Sequence, residues 1–270
     1  AQMNRLDSWY SRIDVYDFIR ELDGSHFARY LKRVADKALK NDAARAVQRI
    51  CVQCDAGYRF SLDHSGLQEC LEGSDWMPST ADGYLETLRP EVRYLLASFR
   101  EQDRVLKVVG VGSVGRRCCL LLLQGERTSD VMILQVKEAV ASVLEQNDAE
   151  VDSSLHQGMR VVQGQRLMQS ASDPFLGWGL LRDGTHCYWR QFRDWKGSVE
   201  LQKMDPCCLA TYTTLCAHAL AKSHARSGNS AAIADAIGST KRFSGVLARY
   251  ALSGADQVEL DFHAYLQLHL

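Results

Sequence analysis

The stretch from Val105 to Lys137 constrains the fold of this chain more than any other. Three runs rich in Val, Leu, Ile and Cys occupy residues 105–112, 117–124 and 131–137. Glycines separate the first two, and a polar turn at 125–130 separates the last two. Short apolar runs bounded by glycine and polar turns read as strands, and connections this short join antiparallel neighbours. A three-stranded meander is therefore expected.

Around the meander the pattern changes period. Residues 1–50 read as two helices, with Leu6, Trp9, Tyr10 and Ile13 and then Phe27, Tyr30, Leu31, Val34 and Leu39 at helical spacing. Asp23-Gly24-Ser25 separates them, and Ser25 is the expected N-cap. Residues 51–82 are mixed, with a short strand at 58–61. Pro90 suits the first turn of a helix reaching residue 100. After the meander come a helix over 155–171 and two strands, 176–181 and 187–192, flanking the turn Arg182-Asp183-Gly184. Helices over 205–225, 231–237, 243–251 and 255–268 close the chain, punctuated by Gly228, Gly238 and Gly254. The reading is α+β. A β-β-β-α-β-β unit at 104–200 has the layout of a protein-kinase small lobe, five antiparallel strands with one inserted helix. Helical segments at 1–103 and 201–270 flank it as parts of an incomplete helical lobe.

Composition excludes several classes of function. Hydrophobic residues make up 46% of the chain and only four prolines are present, so a sizeable core can form. The formal net charge of -1 provides no basic field for nucleic acid. No apolar run approaches the ~18 residues of a membrane span. The nine cysteines are an odd number, and two adjacent pairs lie within apolar runs. That usage fits reduced thiols and places the protein in the cytoplasm. Cys51 and Cys54 form a C-x-x-C, but no second pair stands at zinc spacing, so no metal site is expected there. The opening Ala1-Gln-Met-Asn-Arg-Leu6 has no apolar run of the signal-peptide kind, and it reads as the middle of a longer protein.

The chemistry concentrates on the meander. Gly110-Val-Gly112-Ser113-Val-Gly115 matches G-x-G-x-x-G. A dinucleotide fold would lead from such a turn into a helix, with an acidic residue on the next parallel strand. Here a strand follows, as in a kinase loop that covers ATP phosphates. Glycine lets backbone amides approach phosphate oxygens with no Cβ in the way. Lys137 ends the third strand in Leu134-Gln-Val-Lys137, where kinases carry V-A-I-K. By the period of two, Val131, Ile133, Gln135 and Lys137 share one strand face. The alternatives, a bare glycine turn and a solvated strand-end lysine, stay open at this point.

Other positions are candidates by place in the chain. The helix at 155–171 contains no acid to hold Lys137, and Gln163 or Gln165 is the available substitute. Gln191 and Arg193 stand where a kinase chain crosses its hinge, beside Arg190 and Asp194. His224, in Ala221-Lys-Ser-His-Ala-Arg-Ser-Gly-Asn229, is a candidate base or phosphate ligand, and Asp194 is a second weak catalytic candidate. A histidine near a helix C-terminus is also simply favourable with the helix dipole. The aspartate base, asparagine and metal aspartate of a kinase catalytic loop have no counterpart.

The strings GVGSVGRR, LQVKEAVASVLE, HQGMRVVQGQRLMQSASDPFLGW, YWRQFRDWKGS and LAKSHARSGN, with LDSWYSRID near the start, resemble the DUF2252 family of bacterial proteins. The resemblance covers essentially the whole chain. It implies a longer, permuted kinase-like protein in which G-D-x-H-x-x-N-F-G and N-D-F-D strings precede Ala1. It further implies that Gly110, Gly112, Ser113, Gly115 and Lys137 cradle the phosphates of ATP with Mg²⁺. The expected function is an ATP-dependent phosphotransferase of unknown substrate, inactive as this chain alone. A non-catalytic, pseudokinase-like nucleotide-binding module is the alternative.

Overall fold

The computed structural model describes residues 14–22, 25–39, 43–55, 57–64, 66–70, 83–108, 115–145, 155–192 and 199–268. Helices α1 (Val15–Glu21), α2 (His26–Leu39) and α3 (Ala43–Ile50) come first. A hairpin follows, β1 (Cys51–Cys54) with β2 (Gly57–Phe60), and then the two-residue strand β3 (Leu67–Gln68). Helix α4 (Pro90–Leu96) precedes β4 (Arg100–Lys107), β5 (Cys118–Gln124) and β6 (Val131–Glu138). Next come α5 (Gln157–Met168), β7 (Gly177–Leu180) and β8 (His186–Gln191). Three helices end the described chain: α6 (Pro206–Ser227), α7 (Ser230–Ile237) and α8 (Thr240–Leu268). The architecture is α+β, with eight helices and two antiparallel sheets among the described residues.

The larger sheet has the order β3-β4-β5-β6-β8-β7. Five of its strands correspond to expected ones, with β4 starting at Arg100 where a strand over 105–112 is expected and residues 109–112 lying outside the described ones. The sixth, β3, pairs Leu67 with Lys107 and Gln68 with Leu106, and two residues are too few to show a period. Strand β5 sits at the centre and is buried from Cys118 to Leu123. Its even and odd residues enter different cores. Cys119, Leu121 and Leu123 join Met132, Leu134, Val136 and Trp189 under Tyr84, Leu88 and the α4 residues Val92 and Leu96. Leu120 and Leu122 join Val105, Ile133 and Phe192 under the α3 residues Ala46, Val47 and Ile50, with Phe60 and Leu67. A strand covered on both faces needs a continuous apolar run, which is what this segment has.

Three differences from the sequence reading have physical causes. Strand β4 begins at Arg100, inside a charged stretch expected to be helical, and runs through position 103. Its charges are satisfied locally: Glu101 pairs with Arg104, and the Asp103 carboxylate accepts the Phe60 N–H at 2.8 Å. The ladder to β5 then outweighs local polarity, with an irregularity between Glu101 and Asp103. The N-terminal region contains α3 as a separate helix from α2. Finally, the two helices expected around Gly254 are one helix, α8. A single exposed glycine costs a helix only about 1 kcal/mol, too little to break 29 residues. Ser25 caps α2 as expected, its hydroxyl accepting the Ala28 N–H at 3.1 Å.

Close packing fixes α5. A Cβ placed on Gly158 would lie 2.1 Å from the Cys187 carbonyl oxygen, so only glycine lets α5 approach β8. At Gly254 a Cβ would meet nothing within 4 Å. Gly158→Ala is expected to lower stability by about 3 kcal/mol. Gly254→Ala is expected to leave it unchanged or raise it by up to about 1 kcal/mol. Urea unfolding of both variants checks the pair.

Candidate functional site

The register of three strands builds one polar row at the end of the sheet. Lys137 on β6 stands opposite Cys118 on β5 and Tyr188 on β8, and Tyr188 stands opposite Trp178 on β7. One step inward, Gln135 stands opposite Leu120 and Arg190. Opposed residues in an antiparallel pair project to the same face. Lys137, Gln135, Cys118, Tyr188 and Arg190 therefore share the face that α3 covers further along. Lys107, at the end of β4, joins them, since its charge acts on Cys118 together with those of Lys137 and Arg190.

Two of these side chains are locked. Gln135 is 3% exposed. Its Oε1 accepts from Arg190 Nε at 3.0 Å and Nη2 at 2.9 Å, and its Nε2 donates to Cys118 Sγ at 3.3 Å. Burial pushes the Cys118 thiol up, against the pull of Lys137, Gln135, Arg190 and Lys107. Burial also raises Tyr188, against the pull of Arg190. Among the described residues no carboxylate forms an ion pair with Lys137 or Arg190. Half-buried cations gathered around an amide, a thiol and a phenol make a field suited to an anion.

The connection between β4 and β5 leaves the sheet beside this row. Of its glycines, Gly115 is described, with φ +80°, a left-handed conformation that favours glycine. Gly110, Gly112 and Ser113 lie outside the described residues, as do Arg193 and Asp194. The stem is pinned just after Gly115. Arg117 donates from its backbone N–H and its Nε to Glu138, both at 3.2 Å. It also bonds Asp183 and Thr185 in the β7–β8 turn. The hydrogen bond from Arg117 holds the Asp183 carboxyl down at about 2.

The remaining sequence candidates lie elsewhere. Gln163 is exposed on α5, and Gln191 donates its backbone N–H to the Asp173 carboxylate at 2.6 Å. His224 is exposed on α6. Its neighbour Arg226 is buried and caps α5, donating to the carbonyls of Leu167 at 2.8 Å and Gln169 at 2.9 Å. Asn229 caps α7 by accepting the N–H groups of Ala231 and Ala232. Sequence reasoning saw Lys137 and placed Gln135 on its face. It missed the Arg190 fork on Gln135, because that contact depends on the pairing of β6 with β8 across 55 residues.

A family model for uncharacterized proteins conserved in bacteria, DUF2252, matches residues 1–268. The chain belongs to the DUF2252 family. No curated protein and no solved structure matches it. Among the described residues of this DUF2252 member, no helix is long and apolar enough to cross a membrane.

Beside the polar row, a histidine pair ties α5 to the sheet of this DUF2252 chain. His156 and His186 stack with centroids 4.1 Å apart. His186 Nδ1 accepts the Gln157 N–H at 3.0 Å, and His156 Nδ1 accepts the Met159 N–H at 3.2 Å. Both rings thus cap the α5 N-terminus as hydrogen-bond acceptors, and a second proton on His156 would have to displace the Met159 N–H. Burial lowers the His156 pKa, helped by His186. With the folded value below the ordinary one of about 6.5, the unfolded chain takes up a proton first as pH falls. The stability from this contact is complete above about pH 6.5 and is lost as pH falls through the lowered value. The thermal midpoint is expected to be lower at pH 5 than at pH 7. His156→Asn keeps a capping acceptor that does not titrate, and should flatten that fall.

Proposed function

We propose that this sheet face binds the phosphates of a nucleotide, in the manner of a kinase small lobe. The observation that carries the reading is the position of Lys137. It is the penultimate residue of the third strand of an antiparallel meander, on the same face as Arg190, beside the connection that contains G-x-G-x-x-G. The strand order supports it, because the two strands after α5 extend the sheet from β6 as β6-β8-β7. In this reading the chain is the C-terminal part of a permuted, ATP-dependent phosphotransferase whose substrate is unknown. Gly110, Gly112, Ser113 and Gly115 would cover the phosphates, and Lys137 would contact them.

The residues of the row fit phosphate, since cations and an amide are the groups that bind it. They do not fit Mg²⁺ as ligands. That ion takes oxygen donors, chiefly carboxylates and phosphates. The row consists of ammonium, guanidinium, amide, thiol and phenol groups, so the ion would enter with the phosphates. The helix after β6 favours a second reading, a nucleotide-binding module without catalysis. No carboxylate lies on α5, so the charge partner of a kinase lysine is absent from it. Gln163 would then be at most a neutral neighbour of the site. ATP turnover by a longer protein that includes the upstream strings would reject this second reading.

Titration with ATP and Mg²⁺ tests the first. Lys137→Ala is expected to weaken binding by at least about tenfold, the loss of one charge-assisted phosphate contact. Equal affinity in the variant and the wild type would remove Lys137 from the site.

A further inference from the structure

We infer that His26, Asp205 and Cys208 bind a zinc ion that clamps the start of α2 to the start of α6. This site shares no residue with the phosphate row and does not depend on it. The three side chains offer an imidazole nitrogen, a carboxylate oxygen and a thiol sulfur that all lie within 4.8 Å of one another. His26 opens α2, Asp205 is the N-cap of α6, and Cys208 stands in the first turn of α6. The string Asp205-Pro-Cys-Cys208 has no zinc spacing of its own, because the third donor comes from a helix remote in sequence.

Packing holds the donors in place. Phe27, Leu31 and Cys208 form one small buried core, with Tyr30, Met204 and Tyr212 against it. The Tyr30 hydroxyl also accepts the Glu200 N–H at 2.9 Å, a second tie between the two segments. Asp205 divides its two oxygens. Its Oδ1 accepts the Cys208 N–H at 2.8 Å and caps α6. Its Oδ2 faces the Cys208 thiol at 3.1 Å. Zinc can therefore take Oδ2 and Sγ while the helix keeps its cap. Oxygen and sulfur bound to a tetrahedral zinc stand about 3.5 Å apart, close to the separation already present. His26 is exposed, so its ring is free to turn and complete the trio.

The donor set selects the metal. Magnesium and calcium take oxygen ligands, whereas thiolate with imidazole suits zinc. The positive ends of the α2 and α6 dipoles oppose a cation at this place. A thiolate and a carboxylate bring two negative charges that offset them. On binding, the Cys208 S–H bond breaks, its proton goes to solvent and its electron pair forms the Zn–S bond. Without metal, the hydrogen bond to Asp205 pushes the Cys208 thiol up and keeps that proton in place.

Titration of the whole chain with Zn²⁺ against a competing chelator, under reducing conditions, tests the site. Binding tighter than about 1 μM is expected, rising about tenfold from pH 7 to pH 8 as one proton is released. Co²⁺ in place of Zn²⁺ should give a thiolate-to-cobalt charge-transfer band that Cys208→Ala abolishes. His26→Gln is expected to weaken Zn²⁺ at least about tenfold and to remove the rise in thermal midpoint that zinc gives the wild type. That substitution is at an exposed position, so it decides the matter even where Cys208→Ala does not fold. Wild-type binding weaker than about 1 μM would overturn the inference. So would equal Zn²⁺ affinity in His26→Gln, which would move the ion to other thiols such as the Cys51–Cys54 pair.

Discussion

Burial of β5 on both faces is the constraint on which the rest of this structure depends. Leu120, Leu121 and Leu122 are all 0% exposed. Their side chains alternate between two cores, so the sheet needs a lid on each side. On one side Tyr84 and α4 provide it, with the Tyr84 ring stacked 4.8 Å from Trp189 and its hydroxyl bonded to the Phe175 carbonyl. On the other side α3 and the β1–β2 hairpin provide it. Each fully buried leucine is worth about 2–5 kcal/mol against truncation to alanine. Losing either lid would expose several of them at once.

The second lid also sets the shape of the candidate site. Because α3 and its neighbours cover the inner rows of the face, the polar row left accessible among the described residues is the one at its end. There the strands carry Lys107, Lys137, Tyr188 and, one step in, the Gln135–Arg190 pair. The opposite faces of the same strand ends are held by charge. Glu138, next to Lys137, points the other way and pairs with Arg116 and Arg117. This alternation separates the carboxylate from the cations of the row. Arg117 ties the stem of the glycine-rich connection to the β7–β8 turn, and among the described residues no carboxylate pairs with Lys137 or Arg190 in the salt bridges of this sheet end.

The sheet was largely legible in the sequence because its signals are local. Leucine and β-branched residues dominate β5 and β6, and polar turns join β5 to β6 and β7 to β8. Lys137 and the sharing of its face with Gln135 followed from the period of two. What escaped had no local signal. Strand β3 is two residues long. The charges of β4 become compatible with a strand only once Asp103 meets the Phe60 N–H, 43 residues away. The His156–His186 stack joins residues 30 apart, and the Arg226 cap on α5 joins residues nearly 60 apart. Gln163 fits the pattern of a lysine partner by sequence position, yet the helix turns it outward. Gln157, six residues earlier, is the buried glutamine of α5, bonded to Arg160 and Glu145.

The electrostatics of the row show why an anion is the natural complement of this site. A cation near a buried surface loses hydration, and proteins usually restore the balance with a carboxylate. Arg190 donates instead to the neutral oxygen of Gln135 from Nε and Nη2, a contact that leaves its charge intact. Lys137 stands next to the Cys118 thiol, which burial keeps protonated, and to the Tyr188 phenol, which burial also keeps neutral. Among the described residues, the neighbours just named are polar groups without negative charge. In the proposed function, such an arrangement orients the cations, and a phosphate at the edge of the row would supply the counter-charge. A carboxylate in place of Gln135 would fill the same volume and keep the same fork, but it would neutralise Arg190 and remove much of the attraction. In the proposed function, the amide at that position is what would let the row receive a phosphate instead of closing an internal salt bridge.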